Sequence, residues 1–394
     1  MPVLGQMRER FAAAQPLAGT RVAACLHVTA ETANLVRTLS AGGAKVALCA
    51  ANPLSTQDEV AATLAADGVE VRAARGEGPD AYVAHVQELA AGHPHVVLDD
   101  GADLIAAVHA LGDDALAELV GAAEETTTGL LQLRRLEAAG RLRCPVVAVN
   151  EALSERTFND RHGTGQSAID GILRATNVLL AGHTLVVLGF GFAGRGVAQR
   201  ARGAGAAVVI CEVDPLRALD ARMDGYEVMP ALAAADHGDI FVTVTGSRSV
   251  LRREHFERMK DGAILANAGH FDVEIDLDDL AAVATGGVSE PRPLVEQYEL
   301  GSGRRLNLLA RGRVVNLAAA EGHPAAVMDV SFALQALCVE DLLRRRGELA
   351  PGVYPVPAAI DREVARLKLA TLGVEIDALT PDQEAYLHAW SESG

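Results

Sequence analysis

The sequence predicts an α/β protein built from two doubly wound parallel sheets, and three features lead there. Short apolar runs of strand length alternate with helix-period stretches through the first 150 residues, and the alternation restarts near residue 184 behind a glycine-rich turn. Hydrophobic residues make up 49% and aromatics only 4%, a balance rich in Ala, Gly and Val that lets helices sit close on sheets. At 394 residues the chain exceeds one ordinary core, so two domains are expected.

RVAACLHV (21–28) and AKVALCAA (44–51) are the first two strands, each followed by a helical pattern. Ser55 to Asp58 reads as a capping box opening one such helix, with the aspartate in the place usually held by Glu or Gln. HVVLDDG (95–101) is a strand ending in acids. A helix around Leu130 to Ala139 and the strand CPVVAVN (144–150) follow. The second half supplies TLVVL and AAVVIC around a glycine turn, then IFVTVTG (240–246), AILANAG (263–269) and RVVNL (313–317) as strands. After Gly322-His323-Pro324 a helical stretch crosses back to the first domain, and the tail from Gly347 holds turns and a helix near Asp361 to Ala370. Ligands of such sheets sit at the strands' carboxyl ends.

The net charge of −17 argues against nucleic acid or an anionic membrane as partner. The five cysteines are scattered, form no CxxC pair, and read as buried thiols of a reducing cytoplasm. The N-terminal stretch lacks an apolar signal core, and no run reaches the roughly 20 apolar residues needed to cross a bilayer. A cytoplasmic protein is expected, and no metal ligands are assigned.

Gly189-x-Gly191-x-x-Gly194, with Phe192 and Ala193 inside it, follows an apolar strand and opens a helix. That is the context the dinucleotide fingerprint needs: a tight turn, a close backbone approach to a pyrophosphate, and helix-on-strand packing. The helix N-terminus offers its unpaired N–H groups to the phosphates. The next strand ends at Glu212, roughly 20 residues on, where an acid binds the ribose hydroxyls and repels a 2′-phosphate. NAD is therefore expected over NADP, in a Rossmann-like domain.

Leu26-His27-Val28-Thr29-Ala30-Glu31-Thr32 is the first of an ordered set of motifs. It continues with Asn52 to Asp58, Asp99-Asp100-Gly101, Glu124-Glu125-Thr126-Thr127-Thr128-Gly129, Gly163 to Ser167, Asn267 to Asp272, and Asn316 with Gly322-His323-Pro324. Together these resemble S-adenosylhomocysteine hydrolases of the shorter microbial branch over nearly the whole chain. The resemblance implies a redox-assisted elimination on an adenine nucleoside. NAD oxidises the sugar 3′-hydroxyl, a base removes the acidified C4′ proton, the 5′-substituent leaves, water adds, and the ketone is reduced again. By position, His27 and Asp100 resemble the acid/base pair, Glu125 the ribose-binding acid, and Thr29 and Glu31 the adenine readers. Gln57, His270, His323 and Asp329 resemble residues of the substrate cleft. Thr126, Thr127, Thr128, Asp160, Asn267 and Asn316 resemble cofactor contacts, Asn316 near the nicotinamide carboxamide. Taken alone, a histidine at a strand end is a satisfied structural residue more often than not, paired acids serve as caps, and Thr126 is an N-cap.

The family carries a lysine and, four residues on, Asp-Asn before the Gly-Thr-Gly-Gln segment, bracketing the hydroxyl that is oxidised. Here those positions read Glu155, Asn159 and Asp160. A desolvated lysine shuttles a proton near neutrality, and an amide cannot. Glu155 could do so if burial raised its pKa. Three readings follow: a nucleoside dehydratase of nucleoside natural-product biosynthesis, ordinary S-adenosylhomocysteine hydrolysis with a rearranged relay, and a non-catalytic NAD-binding regulatory paralogue. The resemblance also implies a substrate domain (1–153 and 324–365) interrupted by an inserted NAD domain (154–323), a tail (366–394), and a homo-oligomer, tetramer or dimer.

Overall fold

The computed structural model describes residues 1–269 and 272–388. Apolar runs that are buried on both faces become the central strands, as parallel sheets require. The first part of the chain supplies β1 (Arg21–Leu26), β2 (Lys45–Ala50), β3 (Glu70–Arg72), β4 (Val96–Asp99), β5 (Gly121–Glu124) and β6 (Pro145–Ala148). The middle supplies β7 (Thr184–Leu188), β8 (Ala207–Cys211), β9 (Glu227–Val228), β10 (Ile240–Thr243), β11 (Ile264–Asn267), β12 (Gly287–Arg292), β13 (Val295–Glu299) and β14 (Arg305–Leu309), and β15 (Gly352–Pro355) comes last.

Two sheets result, ordered β15-β6-β5-β4-β1-β2-β3 and β12-β13-β14-β11-β10-β7-β8-β9. In each the strand order reverses, between the parallel neighbours β1 and β4 and between β7 and β10, which places the crevice for ligands at the carboxyl ends there. β15 pairs with β6 in parallel. The helix Ala325–Arg344 buries Val330, Ala333, Leu334 and Leu337 in the same core as β1 and β2. The chain thus leaves the first sheet after β6, builds the second, and returns.

The second sheet is mixed, because β12–β13 and β13–β14 pair antiparallel at one edge. RVVNL is not a strand: Val314 makes one isolated bridge to Asn267, and Val315–Ala318 is a short helix. β5 and β15 carry too few large apolar residues to be read as strands from GAAE and GVYP, and their pairing partners decide them. The tail helix spans Ala358–Thr371, and a further helix covers Pro381–His388. The capping box is absent. Ser55 ends a short 3₁₀ turn (Pro53–Ser55), and the helix Asp58–Ala66 starts at Gln57 without a side-chain cap. All five cysteines are free and buried, and no described helix is long and apolar enough to cross a membrane.

Candidate functional site

A cleft of about 1550 Å³ opens at the carboxyl ends of both sheets. On the first sheet the side-chain alternation of strands sorts four acids into two layers. Asp99 and Glu124, register neighbours on β4 and β5, point into the protein and hold loops. Asp99 accepts from the N–H groups of Ile105 (2.7 Å) and Asp100 (3.1 Å), and Glu124 from those of Gly101 and Thr126 (both 2.9 Å). Burial pushes the Asp99 carboxyl up to about 8 and raises Glu124 well above the carboxylate range. Asp100 and Glu125, one residue further on, face the other way.

His27 follows β1 directly. Its Nε2 lies 3.5 Å from Asp100 Oδ2, and its Nδ1 lies 2.6 Å from Ser55 Oγ. Ser55 was hidden from sequence reasoning inside the supposed capping box, and the Asn52 cap of its 3₁₀ turn swings it onto His27. His323 stands near this pair, 3.2 Å from Thr164 Oγ1. Burial, then the His27 charge, lowers its pKa to about 4, so it is a neutral imidazole at pH 7.

The segment Glu155–Thr164 is a π-helix running into the helix Gly165–Thr176. With i→i+5 bonding, residues four and five apart share one face, which turns Asn159, Asp160 and Thr164 into the cleft with Glu155 beneath them. Glu155 is 1% exposed. Neither of its oxygens makes a well-formed hydrogen bond, nor does Glu125 Oε2. Burial first, then the Asp160 charge, raises Glu155 to about 8; burial first, then Glu155, raises Glu125. Asp160 rises to about 7 by burial against the opposing pull of Arg156. Ser331 ties the acids together by donating to Glu125 Oε1 at 2.5 Å, with Asn159 Nδ2 3.5 Å from Ser331 Oγ. Two carboxyls so placed retain a proton at neutral pH, and the ionised one can accept another.

The glycine turn fits a dinucleotide by its own geometry. Gly189 adopts φ +106°, and a Cβ there would meet the Val244 carbonyl at 2.7 Å. Gly194 packs on the Gly189 carbonyl, 2.0 Å from where its Cβ would be. At Gly191 a Cβ would find only Arg217 Nη1 at 3.9 Å, so the room it leaves faces the cleft. The helix Phe192–Gly203 starts there with no side-chain cap, its N–H groups open to an anion. Glu212 accepts from Phe190 N–H at 2.7 Å and lines the same wall. Asn316 donates to Ser167 Oγ at 3.1 Å, while its buried Oδ1 lacks a protein partner, as a ligand carboxamide donor requires. These residues fit NAD.

Thr29, Glu31, Thr127, Thr128, Phe192 and Ala193 also line the cleft. Thr126 lines it too, but its hydroxyl caps Gly129 N–H (2.9 Å) and donates to Glu124 (2.7 Å), so its role is to build the turn. Three expected contacts lie elsewhere. Asp329 is fully buried behind the cleft, accepting from Val3 N–H, Leu4 N–H and Lys368 Nζ (3.2, 3.0 and 2.9 Å). The reason is helical phase: Met328, Phe332 and Gln335 line the cleft, with Ser331 beside them on Glu125, and Asp329 falls outside that stripe. Asn267 is buried and engages Thr243, Gly269 and Gly312, shaping the turn after β11. Gln57 sits at the start of the helix Asp58–Ala66, off the lining. His270 lies outside the described residues. Ser331, Gln335 and Glu274, which holds Thr245 and Gly246 by their N–H groups, were not anticipated. A serine and a glutamine four apart in an apolar helix were the available signal for the first two.

Residues 160–322 match the NAD-binding domain of S-adenosyl-L-homocysteine hydrolase, and residues 1–115 match S-adenosyl-L-homocysteine hydrolase itself. An adenosylhomocysteinase of Aquifex aeolicus is 56% identical over 391 residues, spanning 99% of this chain and 93% of that protein. An adenosylhomocysteinase of Gloeobacter violaceus is 53% identical over 397 residues (100% and 92% covered). An S-inosyl-L-homocysteine hydrolase of Methanopyrus kandleri is 52% identical over 392 residues (100% and 92% covered).

Proposed function

The chain belongs to the S-adenosyl-L-homocysteine hydrolase family, an NAD-dependent enzyme family, and from that premise we propose that it is a nucleoside dehydratase. Its substrate is an adenine nucleoside with a free 5′-hydroxyl, and its product carries a 4′,5′-alkene. The observation that carries this reading is buried Glu155 beside Glu125, at the position that in the resemblance corresponds to the family's lysine.

When bound, NAD would supply reversible oxidation of a sugar hydroxyl to a ketone, and Gly191, Glu212 and Asn316 would hold it. The ionised member of the Glu125–Glu155 pair takes the proton of the hydroxyl being oxidised and returns it when the ketone is reduced. His27, with its Nδ1 tied to Ser55, and Asp100 serve the proton at the carbon beside the ketone and the 5′-oxygen. One proton leaves that carbon and one joins the departing hydroxyl, so the net change is loss of water. Glu31 accepts from the 6-amino group of adenine, a contact that a 6-oxo base cannot offer.

LC–MS of product mixtures made in heavy water tests this. The expected result is a 5′-hydroxy adenine nucleoside losing water while S-adenosylhomocysteine stays intact. A second reading, ordinary S-adenosylhomocysteine hydrolysis, draws on identities of 53–56% to proteins named adenosylhomocysteinase. Release of homocysteine and adenosine from S-adenosylhomocysteine, with no nucleoside dehydrated, would replace the dehydratase reading with this one. Under it, restoring lysine at Glu155 and aspartate at Asn159 changes activity only modestly.

A further inference from the structure

A helix beginning at residue 153 carries Glu155, Asn159, Asp160 and Thr164 on its way from the first sheet to the second. The first N–H groups of any helix lack intrahelical partners. Here those of Leu153 and Ser154 both go to a carboxylate some 208 residues away: Leu153 N–H to Asp361 Oδ2 at 3.0 Å, and Ser154 N–H to Asp361 Oδ1 at 3.2 Å. Asp361 stands on the helix Ala358–Thr371, just past β15, and Val364 of that helix is buried in the core of the first sheet. A carboxylate at a helix N-terminus also meets the favourable end of the helix dipole.

Among the described residues no other side chain does this work. Leu153 is 67% exposed, and Ser154 Oγ has no partner. Glu155 comes next in the chain, so the same two backbone hydrogen bonds fix where its Cα enters the site. We propose that Asp361 is a positioning residue, pinning the start of the connecting helix to the first sheet and setting where Glu155 meets Glu125. It tethers one end of the passage between the two sheets while the rest of the helix stays available to move with the second.

The kinetic arm of the test rests on the proposed function; the exchange arm does not. Holoenzyme carrying Asp361→Asn, Asp361→Ala or Asp361→Glu is compared with wild type by hydrogen exchange and by single-turnover reduction of bound NAD with saturating adenine nucleoside. Asp361→Ala is expected to speed exchange about tenfold within residues 153–164 while β1–β6 keep their protection. The rate of NAD reduction falls about 10- to 100-fold with KM within about twofold, since small displacements of a reacting group cost on that scale. Asp361→Asn, the variant least disturbing to the fold, shows the same direction, and Asp361→Glu recovers part of the rate. Unchanged exchange at 153–164, exchange raised equally through the first sheet, or an unaltered reduction rate each overturns the proposal. If wild type reduces no bound NAD with any adenine nucleoside, the functional reading falls, and the exchange result alone decides on Asp361.

Discussion

His27 Nδ1 lies 2.6 Å from Ser55 Oγ, and Ser55 spends its one hydroxyl hydrogen on the Asn52 carbonyl at 2.8 Å. The serine oxygen is therefore left to accept from the ring, which puts a proton on His27 Nδ1 and leaves Nε2 as the nitrogen facing Asp100. Ser55→Ala frees the ring to change tautomer. The expected outcome is a kcat about 10- to 100-fold lower, KM nearly unchanged and Tm within about 2 °C, read from steady-state kinetics and thermal melts.

Glu155 holds its proton to about 8 in the folded protein, against an ordinary value of 4.5. Between those values the folded chain binds a proton that the unfolded chain has released, so this group's contribution to stability declines as pH rises through that window. Glu155→Gln removes the decline. Its Tm should match wild type near pH 4 and exceed it by a few degrees near pH 8.5, where each kcal/mol corresponds to roughly 2–4 °C.

On the proposed mechanism the same residue governs the rate with the opposite pH sense. In that reading its basic form is the active one, so NAD reduction by nucleoside should climb from pH 6 and level off above about 8. Stopped-flow absorbance in the NADH band follows it. In Glu155→Gln the reduction should be at least about 100-fold slower and lose that rise. A wild-type profile flat across this range would sink the assignment.

Asp329 is expected to matter for stability alone. Removing its carboxylate strands Lys368 and two N–H groups in a buried site, so Asp329→Ala should cost about 3–5 kcal/mol in denaturant unfolding. KM for the nucleoside, measured on the fraction that folds, should stay at the wild-type value. A raised KM would return Asp329 to the cleft.

Gly191 and Gly194 should separate cofactor from fold. Gly191 has φ −72°, which alanine adopts, and open space at Cβ, so Gly191→Ala should leave the apo Tm unchanged and weaken NAD retention at least about tenfold. Gly194→Ala drives a methyl into the Gly189 carbonyl and should destabilise the apo protein by about 1–3 kcal/mol.

Local order was enough for much of this protein. Strand-then-helix alternation, the Gly189 turn and the Glu212 strand end are each read within a few dozen residues, and together they specify the two sheets and the NAD wall. Glu155 was singled out from the sequence too, by its place between recognisable neighbours. What the chain alone could not decide were facts about direction and company. Whether Asp329 or Gln335 faces the cleft depends on the phase of a helix that is apolar nearly all round. Whether RVVNL is a strand depends on partners already taken by β14. The contacts that define the site join Glu125 to Ser331 across 206 residues and Leu153 to Asp361 across 208. Burial sets the proton affinity of Glu155, and burial is a property of everything packed around a residue, which only the folded chain brings together.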